Sequence, residues 1–364
     1  MYDSLFAPYR FRNGAVTKNR VALAPLTNGQ SHADGTLGDD ELRWLERRAA
    51  GGFGIVTSCA AYVALEGKAW AGELGVDDDR DLPALGRLAS AIRAHGSLGF
   101  VQIFHGGLRA SREISGRPTW SASEYQDDAP GFEVPRAGTE RDVEGAIAAF
   151  AAAARRCAQA GFDGVELHGA HGYLLSQFLS RTYNRRDDRW GGSLENRARL
   201  IREATRAVRA AVPAGFVVGV RLSPEDFGQA RGLDLDETLE VARWLCDDGV
   251  DFLHLSLWKS ALNTAKRPEA HALTLFRAAC PADVALFAAG QVWTPAEAAA
   301  LLERGADVVA LGRAGIINPD WPRDARAPGW EPRRPPLTPA ELHERAISPA
   351  FVGYLRKFKN LVAD

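Results

Sequence analysis

Short apolar runs alternate with longer Ala- and Arg-rich stretches along the whole 364-residue chain, and this alternation is the strongest constraint on its fold. Eight runs are apolar at nearly every position, as parallel strands covered on both faces are: residues 21–26, 53–58, 99–104, 164–167, 216–222, 252–257, 284–288 and 307–311. Seven stretches between them have helical composition: residues 40–50, 81–95, 141–160, 193–212, 236–247, 270–279 and 295–303. Strict alternation of eight strands with helices predicts an α/β fold of the (β/α)8 TIM barrel type.

The competing arrangement is a doubly wound open sheet, but the glycine-rich turn that it requires does not follow the first predicted strand. No linker or shift in composition divides the chain, so we expect residues 1–364 to form a single domain. Residues 106–139 form a long Gly/Pro-rich excursion after the third strand, which we expect to act as a lid or binding loop. Residues 337–359 follow the last strand and are expected to form one or two helices, which could close the barrel or meet a second subunit.

Charge and composition limit the kinds of partner that this chain can have. The 44 basic and 46 acidic residues give a formal charge of −2, so nucleic acid is not an expected partner. No apolar stretch is long enough to cross a bilayer and the first residues lack a secretory signal, so we expect a cytoplasmic enzyme with no membrane partner. Cys59, Cys157, Cys246 and Cys280 have no paired spacing, which argues against a disulfide framework or a cysteine-ligated metal.

The carboxyl ends of the strands carry the chemistry in a barrel of this kind. The residues at these positions include no exposed carboxylate pair, so glycosidase chemistry is not expected. The seventh strand ends near Gly290, and the eighth is followed by Gly312 and Arg313. Backbone N–H groups and an arginine at this place are typical of a phosphate site, although both glycines also suit ordinary turns and Arg313 an ordinary surface position. We favour phosphate binding.

Two histidines and a tyrosine cluster after the fourth strand. His168 ends that strand, and His171 and Tyr173 follow it. Two imidazole N–H groups could grip a carbonyl oxygen while the phenol, which keeps its proton at neutral pH, supplies a proton. The same histidines could instead bind a metal together with Glu166, or could be ordinary loop residues. We favour oxygen binding and expect no metal.

Arg221 ends the fifth strand, and a buried arginine requires an anionic partner. We expect it to meet Glu166, an electron-rich cofactor ring, or both. Gln102, at the end of the third strand, could bind the edge of a heterocycle or only satisfy the backbone.

Several stretches occur in the order found in one known family: residues 19–27 (NRVALAPLT), 101–107 (VQIFHGG), 164–175 (GVELHGAHGYLL), 184–197 (NRRDDRWGGSLENR), 305–313 (GADVVALGR) and 318–320 (NPD). With these stretches the chain resembles the Old Yellow Enzyme family of FMN-dependent NAD(P)H oxidoreductases, also called ene-reductases. The resemblance implies a tightly but non-covalently bound FMN and NAD(P)H as electron donor. It further implies small unsaturated carbonyl or nitro substrates and assembly as a homodimer or homotetramer.

The resemblance also implies roles for individual residues. The implied flavin-binding set is Ala24, Pro25, Leu26, Thr27, Ala60, Gln102, His168, Arg221, Ala289, Gly290, Gly312 and Arg313. Thr27 would tune the flavin and contact substrate, while His168 and His171 would bind the substrate's carbonyl or nitro oxygen. The family reaction reduces an activated C=C bond by hydride transfer from reduced flavin, and Tyr173 would then protonate the substrate.

The chain departs from the family pattern after the sixth strand, where Trp258 and Lys259 stand in place of a small Ser/Gly-rich end. We expect Trp258 to narrow the pocket. Two further functions stay open from the sequence: a flavin barrel that acts on dihydroorotate or tRNA uridine, and a phosphate-binding lyase or isomerase without flavin. No motif selects between NADH and NADPH.

Overall fold

Eight parallel strands close into a barrel in the computed structural model, which describes residues 2–129 and 131–363. Met1 and Asp364, at the ends of the predicted domain, and Pro130, inside the 106–139 excursion, lie outside the described residues. The barrel strands are β1 (Val21–Leu23), β2 (Ile55–Tyr62), β3 (Leu98–Phe104), β4 (Gly164–Gly169), β5 (Val217–Leu222), β6 (Phe252–Ser256), β7 (Ala285–Ala289) and β8 (Val308–Leu311). Each strand pairs in parallel with its neighbours in the chain, and β8 pairs with β1. The predicted TIM barrel is confirmed.

A helix follows each strand. These helices are α1 (Asp39–Ala50), α2 (Leu82–Arg93), α3 (Glu140–Gln159), α4 (Arg199–Ala211), α5 (Leu235–Asp247), α6 (Ala272–Ala279), α7 (Pro295–Glu303) and α8 (Arg313–Ile317). Shorter helices lie at Asp3–Phe6, Arg112–Ser115, Leu174–Leu179, Leu194–Arg197, Trp321–Asp324, Pro339–His343 and Pro349–Leu355, and 3-10 turns at Leu65–Gly67, Asp79–Asp81 and Gly107–Arg109. Two small sheets pair Tyr9–Arg10 with Val16–Thr17 and Trp120–Ser121 with Arg136–Ala137.

Three element boundaries differ from the prediction for identifiable reasons. β1 stops at Leu23 because Pro25 has no N–H to continue the ladder. β2 runs on to Tyr62, past the predicted end at 58, through a register shift between Thr57 and Ala60 that turns Ala60 toward the barrel interior. The predicted helix 193–212 is two helices, because Ala198 ends the first with its N–H bonded to Leu194 and the second begins at Arg199.

Aromatic side chains fill the amino-terminal end of the barrel. Phe252 stacks on Phe287 with ring centroids 4.3 Å apart and on Phe100 at 5.7 Å. Phe11, from the hairpin that precedes β1, packs against all three rings at 6.1–6.4 Å. Gly219 lies beside this layer, where a Cβ would overlap the Phe252 ring. These rings form an apolar floor at the amino-terminal end of the barrel. The polar side chains of the interior therefore lie toward the carboxyl-terminal end.

Three of the helices end in the same way, with a left-handed glycine, one apolar residue and an aspartate that leads into the next strand. The glycines are Gly161, Gly249 and Gly305, with φ of 90°, 98° and 107°. Each aspartate carboxylate accepts a backbone N–H from the preceding barrel strand: Asp163 from Gly99, Asp251 from Val218 and Asp307 from Leu286. Because the acceptor is fixed beside the left-handed turn, the same sequence element ends a helix and aligns two strands.

The 106–139 excursion contains short elements, whereas residues 337–359 form two helices, as expected. The 106–139 excursion contains a 3-10 turn and the four-residue helix Arg112–Ser115. Its two short strands, Trp120–Ser121 and Arg136–Ala137, pair with each other. The segment predicted as helical, 337–359, contains Pro339–His343 and Pro349–Leu355. Among the described residues no helix is long and apolar enough to span a bilayer. Cys59, Cys157, Cys246 and Cys280 are all buried and reduced.

Hydrogen bonds from Arg48 link α1 to the carboxyl-terminal part of the chain. Its guanidinium is fully buried and donates to the carbonyls of Gly315, Ile316 and Arg345. We expect Arg48→Met to lower the free energy of unfolding by about 3 kcal/mol, because it leaves buried carbonyls without donors. Urea denaturation measures this change. Arg43→Met is the matched control: Arg43 is exposed on the same helix and pairs with Asp40, so its loss should cost less than about 0.5 kcal/mol. Equal effects of the two substitutions would contradict the assignment.

Candidate active site

A cavity of about 230 Å³ opens at the carboxyl end of the barrel strands. Nine of the predicted site residues line it: Ala24, Pro25, Leu26, His171, Arg221, Ala289, Gly290, Gly312 and Arg313. They come from the ends of β1, β4, β5, β7 and β8, so the barrel closure assembles them from positions almost 290 residues apart in sequence. Phe227, Ser256 and Trp258 complete the wall between the β5 and β6 ends.

Two residues of this cavity hold an unusual backbone conformation. His171 has φ of 60° and Gln291 has φ of 56°, the left-handed region that non-glycine residues seldom adopt. Gly172, next to His171, also has a positive φ of 72°. Such conformations persist where the surrounding structure fixes them, and they cluster at binding and catalytic sites.

A buried carboxylate organises the polar interior beneath the cavity. Glu166, on β4, accepts a hydrogen bond from the Gln102 amide at 2.7 Å and contacts His254 Nδ1 at 2.7 Å. Burial would raise the pKa of Glu166, but His254, Arg221 and Gln102 together hold that pKa below its usual value. Burial lowers the pKa of His254, so the neutral ring donates its Nδ1–H to the charged carboxylate.

The expected pairing of Glu166 with Arg221 is wrong as a direct contact. Both oxygens of Glu166 are bonded to Gln102 and His254, and Arg221 acts on Glu166 only through the field between their charges. The Arg221 guanidinium instead donates through Nη2 to the Ser256 hydroxyl at 3.2 Å. Its Nε is buried and has no hydrogen-bond partner within the described part of the chain. A buried, charged donor of this kind fits an electron-rich ligand in the cavity.

The predicted histidine–tyrosine cluster is present at the mouth. The His168 ring lies 5.0 Å from the His171 ring and 4.8 Å from the Tyr173 ring, measured between centroids. His168 Nδ1 accepts the backbone N–H of Ala170 at 3.4 Å, which leaves Nε2 as the nitrogen that carries the proton. His171 Nε2 lies 2.5 Å from the Ser256 hydroxyl, so Ser256 links this histidine to Arg221.

Burial sets the protonation states of this cluster. Desolvation, with help from neighbouring cations, lowers the pKa of both His168 and His171 well below the usual histidine range. Both rings are therefore neutral at pH 7, and each has one N–H donor. Burial raises the pKa of Tyr173 above its ordinary value of 10.0, although Arg109 opposes that shift. The phenol therefore keeps its proton across the physiological range.

Five predicted site residues lie outside the 230 Å³ cavity. Gln102 is held by Glu166 in the layer below, and Ala60 packs with Tyr62 and Phe104 next to Tyr173. Thr27 lies close to Tyr354, on the helix Pro349–Leu355. His168 and Tyr173 are not in the cavity wall, but the His168 ring contacts that of His171, which is.

Sequence reasoning missed several residues of this site. Arg109 places its guanidinium carbon 4.4 Å from the Tyr173 ring centroid, and Tyr354 reaches Thr27 from the other end of the chain. Arg109 could have been identified as a site residue from its position after the third strand, next to the His105-Gly106-Gly107 stretch. No local pattern points to Tyr354.

Trp258, the departure from the family pattern, lies on the rim of the cavity. Its side chain is 57% exposed and packs against Phe227 at 5.2 Å, while Phe227 lies 6.4 Å from the His171 ring. It also borders a second cavity of about 400 Å³, between the loops after β5 and β6. The indole therefore borders the entrance on the β6 side.

The metal alternative is not supported by the side-chain geometry. No group of three or more His, Cys, Asp or Glu side chains within residues 2–129 and 131–363 is arranged to hold a metal ion. Glu166, the carboxylate that a metal site here would require, is bonded to Gln102 and His254 on the interior side.

The ends of β7 and β8 suit an anion, but the two glycines differ in why they are glycine. A Cβ on Gly312 would meet only Leu26 Cδ2, at an ordinary 3.7 Å, so the protein itself leaves room for a side chain there. A Cβ on Gly290 would lie 2.6 Å from the Leu257 carbonyl oxygen, so packing alone requires this glycine. Arg313 is exposed beside them and makes no side-chain hydrogen bond or ion pair with the residues that the structure describes.

Comparison with known proteins identifies the family. The model of the NADH:flavin oxidoreductase / NADH oxidase family matches residues 4–328. A probable NADH-dependent flavin oxidoreductase of Bacillus subtilis is 37% identical over 327 residues, which cover 88% of this chain and 87% of the relative. An NADPH dehydrogenase of Bacillus licheniformis is 33% identical over 328 residues, covering 88% and 93%. The solved structure of an old yellow enzyme homologue from Zymomonas mobilis matches with a TM-score of 0.80 and 30% identity, covering 90% and 94%.

The chain belongs to the NADH:flavin oxidoreductase / NADH oxidase family. It is an FMN-dependent NAD(P)H oxidoreductase of the Old Yellow Enzyme type that acts on small molecules. The alternative of a flavin-free lyase or isomerase is therefore wrong, and the matched family is not that of the dihydroorotate or tRNA enzymes. The unpartnered Arg221 Nε, the free Arg313 and the space at Gly312 are compatible with FMN in the cavity.

Substitution of the two glycines separates cofactor binding from packing. We expect Gly312→Ala to leave the stability of the flavin-free protein within about 1 kcal/mol and to weaken FMN binding about tenfold, because the methyl group occupies ligand space. We expect Gly290→Ala to destabilise the flavin-free protein by about 1–3 kcal/mol through overlap with Leu257. Thermal unfolding and titration with FMN, followed by flavin fluorescence, measure both effects. Unchanged FMN affinity in Gly312→Ala would remove Gly312 from the flavin site.

Proposed function

We propose that this protein reduces activated C=C bonds of α,β-unsaturated carbonyl or nitro compounds with electrons from NAD(P)H. The observation that carries the proposal is the cluster at the barrel mouth. Two neutral histidines, His168 and His171, lie 5.0 Å apart, and the Tyr173 ring lies 4.8 Å from His168. Such a cluster offers two neutral N–H donors for an oxygen atom and one phenol proton for a carbon beside it.

The proposed FMN site consists of the residues predicted from the sequence. Gly290, Gly312 and Arg313 would hold the phosphate, and the full set would be Ala24, Pro25, Leu26, Thr27, Ala60, Gln102, His168, Arg221, Ala289, Gly290, Gly312 and Arg313. Support comes from the nine predicted residues that share the 230 Å³ cavity and from the free donor at Arg221 Nε. The chemistry that FMN supplies when bound is hydride transfer from NAD(P)H to the substrate. Arg221 places a buried positive charge where the ring would bind, which favours the electron-rich state of that ring.

His168 and His171 would bind the carbonyl or nitro oxygen of the substrate. Their depressed pKa values keep the rings neutral, so substrate binding adds no proton and the two N–H groups act as hydrogen-bond donors. Negative charge grows on this oxygen as the C=C bond accepts hydride, and donors placed at that oxygen stabilise the transition state by about 3–4 kcal/mol each. The left-handed backbone of His171 and its bond to Ser256 fix the ring before substrate arrives.

Tyr173 would protonate the substrate carbon. Its pKa is raised by desolvation, so the phenol stays protonated, and Ala60, Phe104 and Trp70 pack in the same cluster as its ring. Phe104 packs edge-on against the phenol ring at 4.6 Å, which fixes the ring plane. Protonation of carbon is slow without a positioned acid. The contact with Phe104, which orients the Tyr173 ring, would therefore raise the rate of turnover.

Replacement of Tyr173 by phenylalanine tests the proton donor. We expect Tyr173→Phe to slow the reduction of an enone about 10²–10⁴-fold, while reduction of the bound flavin by NADPH continues at its normal rate. Stopped-flow measurement of the two half-reactions separates these effects. Tyr183→Phe is the matched control, because the Tyr183 hydroxyl donates to the Gln229 carbonyl instead. An unchanged rate of enone reduction in Tyr173→Phe would remove Tyr173 from the mechanism.

Titration with a para-substituted phenol tests the oxygen-binding pair. The FMN-loaded protein should develop a long-wavelength charge-transfer band, because the phenol oxygen would bind between His168 and His171 above the flavin. Because the pKa of each histidine is lowered, we expect no inflection in the binding constant near the usual histidine pKa of about 6.5. The phenol used should ionise only well above pH 8. A flavin-loaded protein without the band would contradict the histidine pair, and an inflection near pH 6.5 would contradict its neutral state.

A further inference from the structure

Arg109 contacts both parts of the proposed catalytic cluster. It ends the 3-10 turn Gly107–Arg109, the first turn of the excursion after β3. Its guanidinium carbon lies 4.4 Å from the centroid of the Tyr173 ring, and its Nη1 donates to the backbone carbonyl of His171 at 2.8 Å. The side chain is half-buried, and no carboxylate in the described part of the chain forms an ion pair with it. A positive charge therefore faces the phenol ring without a competing anion.

The position of Arg109 is fixed by a buried amide. Gln177, on the helix Leu174–Leu179, accepts the N–H of Leu108 at 3.1 Å and donates to the carbonyls of Gly106 at 3.0 Å and Gly172 at 2.8 Å. One side chain thus holds the turn that carries Arg109 and the segment that carries His171 and Tyr173. A Cβ on Gly107 would overlap the Gln177 amide, so the close approach requires glycine, which also adopts a positive φ of 58° here.

We propose that Arg109 is a positioning residue for the proton transfer, which stabilises the phenolate left on Tyr173. This inference rests on the proposed function. In the step concerned, the O–H bond of Tyr173 breaks and its electron pair stays on the phenol oxygen. The proton forms a C–H bond with the electron pair on the substrate carbon next to the carbonyl or nitro group, after a hydride derived from NAD(P)H through the FMN-dependent half-reaction has been added to the other carbon. Solvent then returns a proton to Tyr173.

The contact would act more strongly in the transition state than in the ground state. A cation above a neutral phenol ring is attracted by the ring quadrupole, and the attraction grows as the ring acquires negative charge. Only an interaction that strengthens along the reaction raises the rate of the chemical step. The carbonyl bond to His171 lies on the same guanidinium, so the charge is held over the ring by a second contact.

Other charged and titratable groups near Tyr173 do not replace Arg109. The groups that face the phenol are Arg109, Glu73, Tyr354, Arg221 and His168. Burial raises the pKa of Glu73 well above its usual value, and this carboxyl already accepts the backbone N–H groups of Ala69 and Trp70. Burial likewise raises the pKa of Tyr354 and lowers that of His168, so both are neutral. Arg221 donates to Ser256 and lies beside the proposed flavin site.

The test compares three substitutions in the FMN-loaded enzyme. We expect Arg109→Met to slow enone reduction by the reduced enzyme about tenfold, equivalent to about 1.4 kcal/mol, and to leave flavin reduction by NADPH unchanged. Arg109→Lys keeps the charge and should recover most of the rate. Arg231→Met is the matched control: Arg231 and Arg109 line one cavity of about 610 Å³ beside the 106–139 excursion, but Arg231 contacts Tyr125 and Asp127. Flavin content and visible spectrum report whether each variant is folded and loaded.

A double substitution shows whether Arg109 acts through Tyr173. In the Tyr173→Phe background, Arg109→Met should change the rate of enone reduction less than twofold, because no phenolate forms there. Equal slowing in both backgrounds, failure of Arg109→Lys to recover the rate, or equal slowing of flavin reduction would each overturn the inference. If Tyr173→Phe alone leaves the rate unchanged, the proposed proton donor itself is wrong, which is a separate result.

Discussion

The negative charge of one buried side chain, Glu166, determines which polar side chains surround it in the barrel interior. A carboxylate removed from water costs several kcal/mol unless hydrogen bonds and opposite charge replace its solvation. Gln102 and His254 supply the hydrogen bonds and Arg221 the opposite charge. Glu166 acts on these partners in turn: it orients the Gln102 amide, keeps the proton of His254 on Nδ1, and raises the pKa of Arg221, which burial lowers.

The geometry of the closed barrel explains the depth at which Glu166 and its partners lie. Side chains of a strand alternate between the interior and the helices, so each strand contributes successive interior layers. β6 shows the gradient from the floor to the mouth in three residues, Phe252, His254 and Ser256. Phe252 stacks in the aromatic floor, His254 bonds Glu166 and Ser256 bonds His171. The same alternation that fills the core therefore orders the residues of the site by depth.

Features that arise from local periodicity could be predicted from the sequence, whereas contacts across the fold could not. Apolar runs located all eight strands, and their ends located His168, Arg221 and the two glycines. The contact of Arg109 with Tyr173 spans 64 positions and that of Thr27 with Tyr354 spans 327, and no periodic pattern encodes either. The bonding of Glu166 to His254 rather than Arg221 was missed because both partners point into the same interior, and only distances separate them.

The longest stretch of family resemblance, residues 184–197, does not lie at the cavity and has a different physical role. Asn184 donates to the carbonyls of Phe178 and Trp190, and buried Arg197 bonds the Leu179 carbonyl and pairs with Glu237 on α5. Both side chains thereby hold the end of the helix Leu174–Leu179, which begins directly after Tyr173 and carries Gln177. The proposed proton donor would lose much of its effect if it were displaced by a fraction of an ångström, so the contacts behind Tyr173 bear on the proposed reaction. The stretch that carries the most specific resemblance therefore supports the helix that follows Tyr173.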